Sequence, residues 1–309
     1  MIQNSGAVSQ QFLTNLDLLQ QQMAATQQQI SSGTKISQAS DAPNSVGDVL
    51  QLESDLGRVN QVTSNLNLVS GEVNSAESAL QAATTLLDQV SSIASQGAGS
   101  TVSAASRTTF SQQVGQIFSS LVAASQTQFN GAYVFGGDQS SSPSYQVDLN
   151  NPNGVDRLVT TQSTRLIQDA SGITFAVSKT AQDIFDHRNS DDSLATDNVF
   201  AAVNSLRVAL TNNDTAGINT AIGSIKTAQD YLSQQLAFYG GVQDQISNAQ
   251  DVAQKFQLQD QTALSSEKDT NMAAASISLT QEQASYQAGI EAESTMPRTS
   301  LFDFLTSGS

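Results

Sequence analysis

The sequence predicts a mainly α-helical protein with a small β-rich insertion, its amino- and carboxyl-terminal segments forming a long helical bundle or coiled coil. Three observations predict it. Prolines occur only at 43, 143, 152 and 297, so long helices are permitted through 44–142 and 153–296. Apolar residues outside the middle recur at alternating three- and four-residue steps, the period of a helix seam. From about 136 to 180 the period falls to two, with turn residues between the runs.

The first predicted helix covers about 8–30, on the spacing of Leu16, Leu19, Met23, Thr26 and Ile30. Gly33, in "SSGTKIS", is its predicted stop, because glycine takes the left-handed conformation that ends helices. The next start is "SDAP": Ser40 or Asp41 is the predicted cap, and Pro43 falls in the first turn, where its missing N–H costs nothing.

The strongest seam follows. Val59, Leu66, Val73, Leu80, Leu87 and Ala94 repeat every seven residues, with Val62, Val69, Ala76, Ala83 and Val90 between them. That is a coiled-coil-type stripe along about 55 Å of helix. "SQGAGS" is a turn, and a third helix follows, with Phe110, Val114, Ile117 and Leu121 on one face and an end near Asn130-Gly131. In the insertion, Tyr145/Val147/Leu149 and Ile173/Phe175/Val177 alternate with polar residues around "NNPNG" and "SG" turns. Helices resume near 198, continue over about 218–238, and meet Gly240-Gly241, read as a turn or kink. Beyond it, Val242, Ala249, Phe256, Ala263, Thr270, Ile277 and Ala284 recur every seven residues, predicting one helix to about 291.

These seams divide the chain into three expected parts: 1–42 with 270–309, a terminal coiled coil; 43–135 with 181–269, a helical bundle; and 136–180, the insertion. The two terminal seams carry Thr, Ala and Gln where a stable coiled coil has Leu or Ile. Alanine returns little burial energy against the cost of ordering each residue. The termini are therefore expected to order on assembly, with Leu16, Leu19, Met23, Ile30, Ile277 and Ala284 as subunit contacts.

Composition narrows the function. A formal net charge of −16 repels polyphosphate and anionic lipid surfaces, so neither a nucleic-acid nor a membrane partner is expected. The absence of Cys removes disulfides and thiolate chemistry. The start, "MIQNSGAVSQ", lacks a basic region followed by an apolar run, so no Sec-type signal peptide is predicted. His187, the single histidine, has no partner at a motif spacing and reads as a solvated loop residue; Asp191-Asp192 reads the same way. "VDLNNPNGVDR" lacks the alternating acidic ligands of a calcium loop and reads as a hairpin turn. "VFGGDQSSS" has no Walker lysine. No catalytic residue, metal site or cofactor is expected.

At three places the sequence resembles a known family. "ISSGTKISQASDAPNSVGDVLQL" is similar to the amino-terminal motif of bacterial flagellins and their hook–filament junction relatives, with Gly33, Lys35, Ile36, Ala39, Ser40, Asp41 and Pro43 matching and Ala42 in place of a second Asp. "FNGAYVFGGD" resembles the phrase that closes the amino-terminal helical part in the junction branch. The end, from "EKDTNMAAAS" to "SLFDFL", resembles the carboxyl end of the same branch; flagellins proper usually end in a Leu-Leu-Arg-type sequence. The first residues lack the family's usual Arg-Ile-Ser/Thr.

The resemblance implies a flagellin-like architecture, the terminal helices together as an inner tube and the β insertion outside. It implies a non-enzymatic structural subunit, exported by the flagellar type III apparatus, that forms a ring between hook and filament. Its implied partners are further copies of itself, a second junction protein on the filament side, the hook or an adjacent junction protein on the other, and an export chaperone on the carboxyl-terminal region. Leu301, Phe302, Phe304 and Leu305 would be subunit contacts. The alternatives are a filament flagellin, a secreted helical adhesin or enzyme with its site in the insertion, and an intracellular coiled-coil scaffold.

Overall fold

The computed structural model describes residues 2–38, 40–160 and 165–295. The chain divides into two units, Arg58–Gln257 and Met1–Gly57 with Leu258–Ser309.

The repeating seam becomes α2 (Val46–Gly97) and pairs with α6 (Thr215–Lys268) in the larger unit. Val59, Leu66, Leu80, Leu87, Val90 and Ala94 are wholly enclosed on one side, as are Ile218, Ala228, Leu232, Tyr239 and Ala253 on the other. Of the turn or kink read at Gly240-Gly241, the turn is absent: both glycines lie within α6. Each glycine costs a helix about 1 kcal/mol. Tyr239 and Val242, buried on either side of the pair, hold the helix on course.

α3 (Ala104–Ser125) starts at Ser103, whose hydroxyl accepts from the Ser106 N–H. It ends before the predicted Asn130-Gly131 boundary, because those two residues take φ of 50° and 81° and turn a hairpin of β1 (Gln128–Phe129) and β2 (Ala132–Tyr133). α5 (Val199–Thr211), capped by Asn198, packs along α3. Buried Arg107 clamps this end: its guanidinium donates to the Gly97 and Gly99 carbonyls at 2.9 Å and to Asn213 Oδ1 at 2.6 Å.

The insertion is two separate antiparallel pairs rather than one sheet: β3 (Tyr145–Val147) with β4 (Val155–Arg157), and β5 (Leu166–Gln168) with β6 (Thr174–Ala176). Pairs this small need outside support. Aromatic residues are only 6% of the chain, with no Trp, yet six of them are gathered against this region. Phe118, Phe135, Tyr145, Phe185, Phe200 and Tyr239 are all buried, with ring centroids 5.4–6.2 Å apart in successive pairs. The short α4 (Ala181–Ile184), closed by a Thr180/Asp183 capping box, supplies the approach to Phe185.

The smaller unit contains α1 (Ile2–Ser32) and α7 (Met272–Thr295), packed along each other. The single helix predicted to 291 is instead two, α6 ending at Lys268 and α7 beginning at Met272. The interruption also changes the buried register. Above it, Val242 and Ala249 face inward as the heptads require. Below it the inward set is Ala275, Leu279, Glu282, Tyr286 and Gly289, and Ile277 and Ala284 turn outward. A seven-residue pattern can persist in sequence while a three-residue break resets which face it occupies.

Candidate assembly surface

α1 presents Phe12, Leu16, Leu19, Met23, Thr26 and Ile30, all half-buried, at the helical repeat. Across the seam, a Cβ on Gly289 would lie 2.9 Å from Leu16 Cδ2, so the missing side chain makes room for that leucine. Thr26 Oγ1 donates to Glu282 Oε1 at 3.2 Å. These contacts set α1 and α7 antiparallel. Neither helix contains Lys, Arg or His, and the other oxygen of Glu282 is enclosed without a partner among the described residues. A lone carboxylate in a seam of small and polar residues is a poor stabiliser of an isolated pair.

Where α1 ends, Gly33 takes φ +73° and its N–H donates to the Gln29 carbonyl, ending the helix as predicted. The next residues pair with the α6–α7 break. Lys35 N donates to Lys268 O at 2.8 Å, Thr270 N to Gly33 O at 2.9 Å, and Thr34 faces Asp269 in an isolated antiparallel bridge. Lys35 Nζ reaches the Ser266 carbonyl at 2.8 Å, and Lys268 Nζ reaches Glu53 at 2.9 Å. The two helix interruptions are thus one backbone joint. Its sequence signal is limited to Gly33, because nothing in 268–271 breaks helical periodicity.

The predicted capping role of Asp41 is different in the structure. Its carboxylate accepts from the Ser37 N–H at 2.8 Å, the Ser37 hydroxyl at 2.9 Å and the Gln38 N–H at 2.7 Å, all upstream. The hydrogen bonds from the Gln38 and Ser37 backbone hold its pKa below the usual carboxylate value. α2 begins only at Val46, so Pro43 lies in the preceding turn, where Ser45 N donates to Ala42 O. Ser40 is exposed and its side chain forms no cap. An aspartate can bond backwards to close its own turn as readily as forwards to start a helix.

The outward face of α7 carries an exposed apolar residue beside a groove. Ile277 is 63% exposed, and with Ser276, Thr280, Gln281 and Ala284 it lines a shallow groove of about 420 Å3. Among the assembly residues expected from sequence, Leu16, Leu19, Met23 and Ile30 lie on the inward stripe of α1, whereas Ile277 and Ala284 face out. Leu301, Phe302, Phe304 and Leu305 lie outside the described residues.

In the larger unit several polar residues are tied to one another. Asp186 is completely buried and accepts from Asn153 Nδ2 at 2.9 Å, Asn198 Nδ2 at 2.8 Å, Arg188 Nε at 2.9 Å and the Tyr145 hydroxyl at 3.3 Å. Burial, then the Asp186 charge, pushes the Tyr145 phenol pKa upward. Asp192 is not a merely solvated residue: it pairs with Arg157 at 3.0 Å, and the hydrogen bond from Arg157 lowers its pKa. His187 also has partners, Asp197 Oδ1 at 2.7 Å from Nδ1 and a stacked Tyr231 ring at 4.9 Å. Among the described residues, no group of three or more metal-ligating side chains occurs, and no helix is long and apolar enough to cross a membrane.

Residues 4–140 match the family model of the bacterial flagellin N-terminal helical region. No curated protein matches the sequence. Several solved structures share the fold. One is a flagellar hook-associated protein from Vibrio parahaemolyticus, 17% identical over 74% of this chain and 100% of that one, with a TM-score of 0.64. Another is hook-associated protein-3 from Legionella pneumophila, 12% identical over 71% of this chain and 98% of that one, with a TM-score of 0.60. A third is FlgL from Xanthomonas campestris, 16% identical over 69% of this chain and 99% of that one, with a TM-score of 0.58. At such identities the likeness is one of fold. The chain thus combines a match to the flagellin N-terminal helical region at 4–140 with a fold similar to that of the hook-associated proteins.

Proposed function

We propose that this chain is a structural subunit of the bacterial flagellum, exported by the flagellar type III apparatus, that forms the junction ring between hook and filament. The observation that carries the reading is the flagellin amino-terminal region on a fold shared with hook-associated proteins across 69–74% of the chain. In this reading 1–42 with 270–309 line the inner tube, 43–135 with 181–269 form the bundle around it, and 136–180 point outward. The partners are further copies, a second junction protein, the hook side and an export chaperone on the carboxyl-terminal region. The role is non-enzymatic and extracellular.

The uneven quality of the seams supports assembly through the termini. The α2–α6 stripe is sealed by fully buried Val, Leu, Ile and Tyr, but in α1–α7 Leu16, Leu19, Met23 and Ile30 are only half-buried beside Thr26, Glu282 and Gly289, and Ile277 is exposed. Subunit contacts would use that outward face of α7 and the segment from Leu301 to Leu305.

Deleting the gene and imaging the cells tests the reading. Bare hooks with unpolymerised flagellin in the medium are expected. Filaments of ordinary number and length would refute it, and loss of the dominant protein of sheared filaments would point to a filament flagellin. A chain truncated before Ser300 should stay folded in its helical body and fail to form rings; assembly of that chain at the hook tip would remove the role given to the last ten residues.

A further inference from the structure

The sequence contains two Asn-Gly pairs, Asn130-Gly131 and Asn153-Gly154, and the fold treats them oppositely. Asn153 is 4% exposed and its amide is held by Asp186 at 2.9 Å. Gly154 beside it is packed so closely that a Cβ there would lie 2.6 Å from Phe118. Asn130 stands at the exposed tip of the β1–β2 hairpin. Neither its side chain nor the Gly131 N–H has a hydrogen-bond partner among the described residues, and a Cβ on Gly131 would meet nothing within 4 Å.

We propose that Asn130 is a site of spontaneous deamidation, an age mark written by the protein's own backbone. Solvent hydroxide removes the Gly131 amide proton, and that nitrogen bonds to Cγ of Asn130. The bond from Cγ to Nδ2 breaks and ammonia leaves, giving a five-membered succinimide. Water then opens the ring at either of its two carbonyl carbons, yielding aspartate or isoaspartate. The sum is one water consumed and one ammonia released, with no oxidation or reduction. Glycine is the neighbour that permits this, because no side chain shields its nitrogen. Ring closure turns Asn130 about its Cα–C and Cα–Cβ bonds, a rotation that the hairpin tip admits when it opens. The hairpin has only two residues per strand, and pairs of that size open at little cost.

The product matters to the fold. Isoaspartate adds a methylene to the backbone, which a two-residue turn cannot accommodate without losing the Phe129–Ala132 pairing. Phe129 is the ring packed on Gly71 of α2, where a Cβ would come within 2.7 Å. The Val134 N–H, bonded to Thr127 O at 2.9 Å, closes the same hairpin.

The test is incubation of the full-length protein at mildly alkaline pH, native and in denaturant, followed by peptide fragmentation that separates residue 130 from 153. In the native protein, conversion at Asn130 should exceed that at Asn153 by about tenfold or more, and denaturant should bring the two together. Amide exchange at Val134 should quicken in the converted fraction. Equal native rates, or a native Asn130 that stays intact while the denatured protein reacts, would overturn the proposal; so would two unreactive sites in denaturant.

Discussion

Gln250 Nε2 donates to Asn67 Oδ1 at 2.9 Å, and the same bond recurs one heptad away on each side, Gln243 to Asn74 at 2.7 Å and Gln257 to Asn60 at 3.0 Å. Gln229 to Asp88, two heptads beyond Gln243, continues the series at 2.8 Å. The four pairs run up one side of α6 and down one side of α2. They fix the flank of an apolar seam without salt bridges, which suits a protein so poor in charge. Because these bonds are exposed, each is worth about 0.5 kcal/mol. Asn67→Ala should lower stability by about that much in denaturant unfolding, and removing all four rungs by about 2 kcal/mol. A single rung costing more than about 3 kcal/mol would show that it is more than an exposed pair.

Asp186 predicts the opposite scale. It is buried under four donors, so Asp186→Ala strands the Arg188 charge and two amides at once. The loss should be about 3–5 kcal/mol, while Asp192→Ala, at an exposed and screened pair, should cost far less. Thermal unfolding of the two variants side by side measures the contrast, and similar losses would contradict it.

Gly33→Ala should strain the joint. No atom lies within 4 Å of the added Cβ, so the penalty is backbone conformation alone, about 1–2 kcal/mol at φ +73°. Amide exchange should accelerate at Lys35 and Thr270, which bridge the two interruptions, and leave Val69 and Leu80 protected.

Tyr231 should make stability fall at alkaline pH. Burial, then the charges of Asp197 and Asp183, pushes its phenol up to about 12. An unfolded phenol ionises near 10, so the contribution is complete below that pH and lost as pH rises from 10 to about 12. Ultraviolet titration should show this tyrosinate forming late; Tyr231→Phe should flatten that limb of the stability curve.

Ile277→Asp with Ala284→Asp should block assembly and leave monomer stability within about 0.5 kcal/mol, since both residues face outward on α7. Sedimentation and unfolding on the same sample separate the two effects. A destabilised monomer would mean that this face is covered within the monomer itself.

Much of the architecture is legible in the residues because helix seams are local. Val59 to Ala94 marks its own stripe by spacing, Gly33 marks its own stop, and the alternation at Tyr145 and Phe175 marks strands. The break at 269–271 left no trace, because Asp269, Thr270 and Asn271 are tolerable in a helix, and only the bridge to Gly33, Thr34 and Lys35 shows where the backbone leaves it. Gly240-Gly241 misled in the other direction, since a weak helix former is overruled when Tyr239 and Val242 are anchored.

Sequence by itself determined that this protein is helical, acidic and free of cysteine, with seams poorest in bulky apolar residues at its two ends and a turn motif that resembles that of flagellins. Tertiary structure decided which carboxylate is buried, where Asp41 sends its hydrogen bonds, which face of α7 stays bare and which Asn-Gly is sealed. The division has a physical cause. Periodicity and backbone preference act over a few neighbouring residues, whereas burial and hydrogen-bond satisfaction depend on groups far apart in sequence, as Thr26 and Glu282 are.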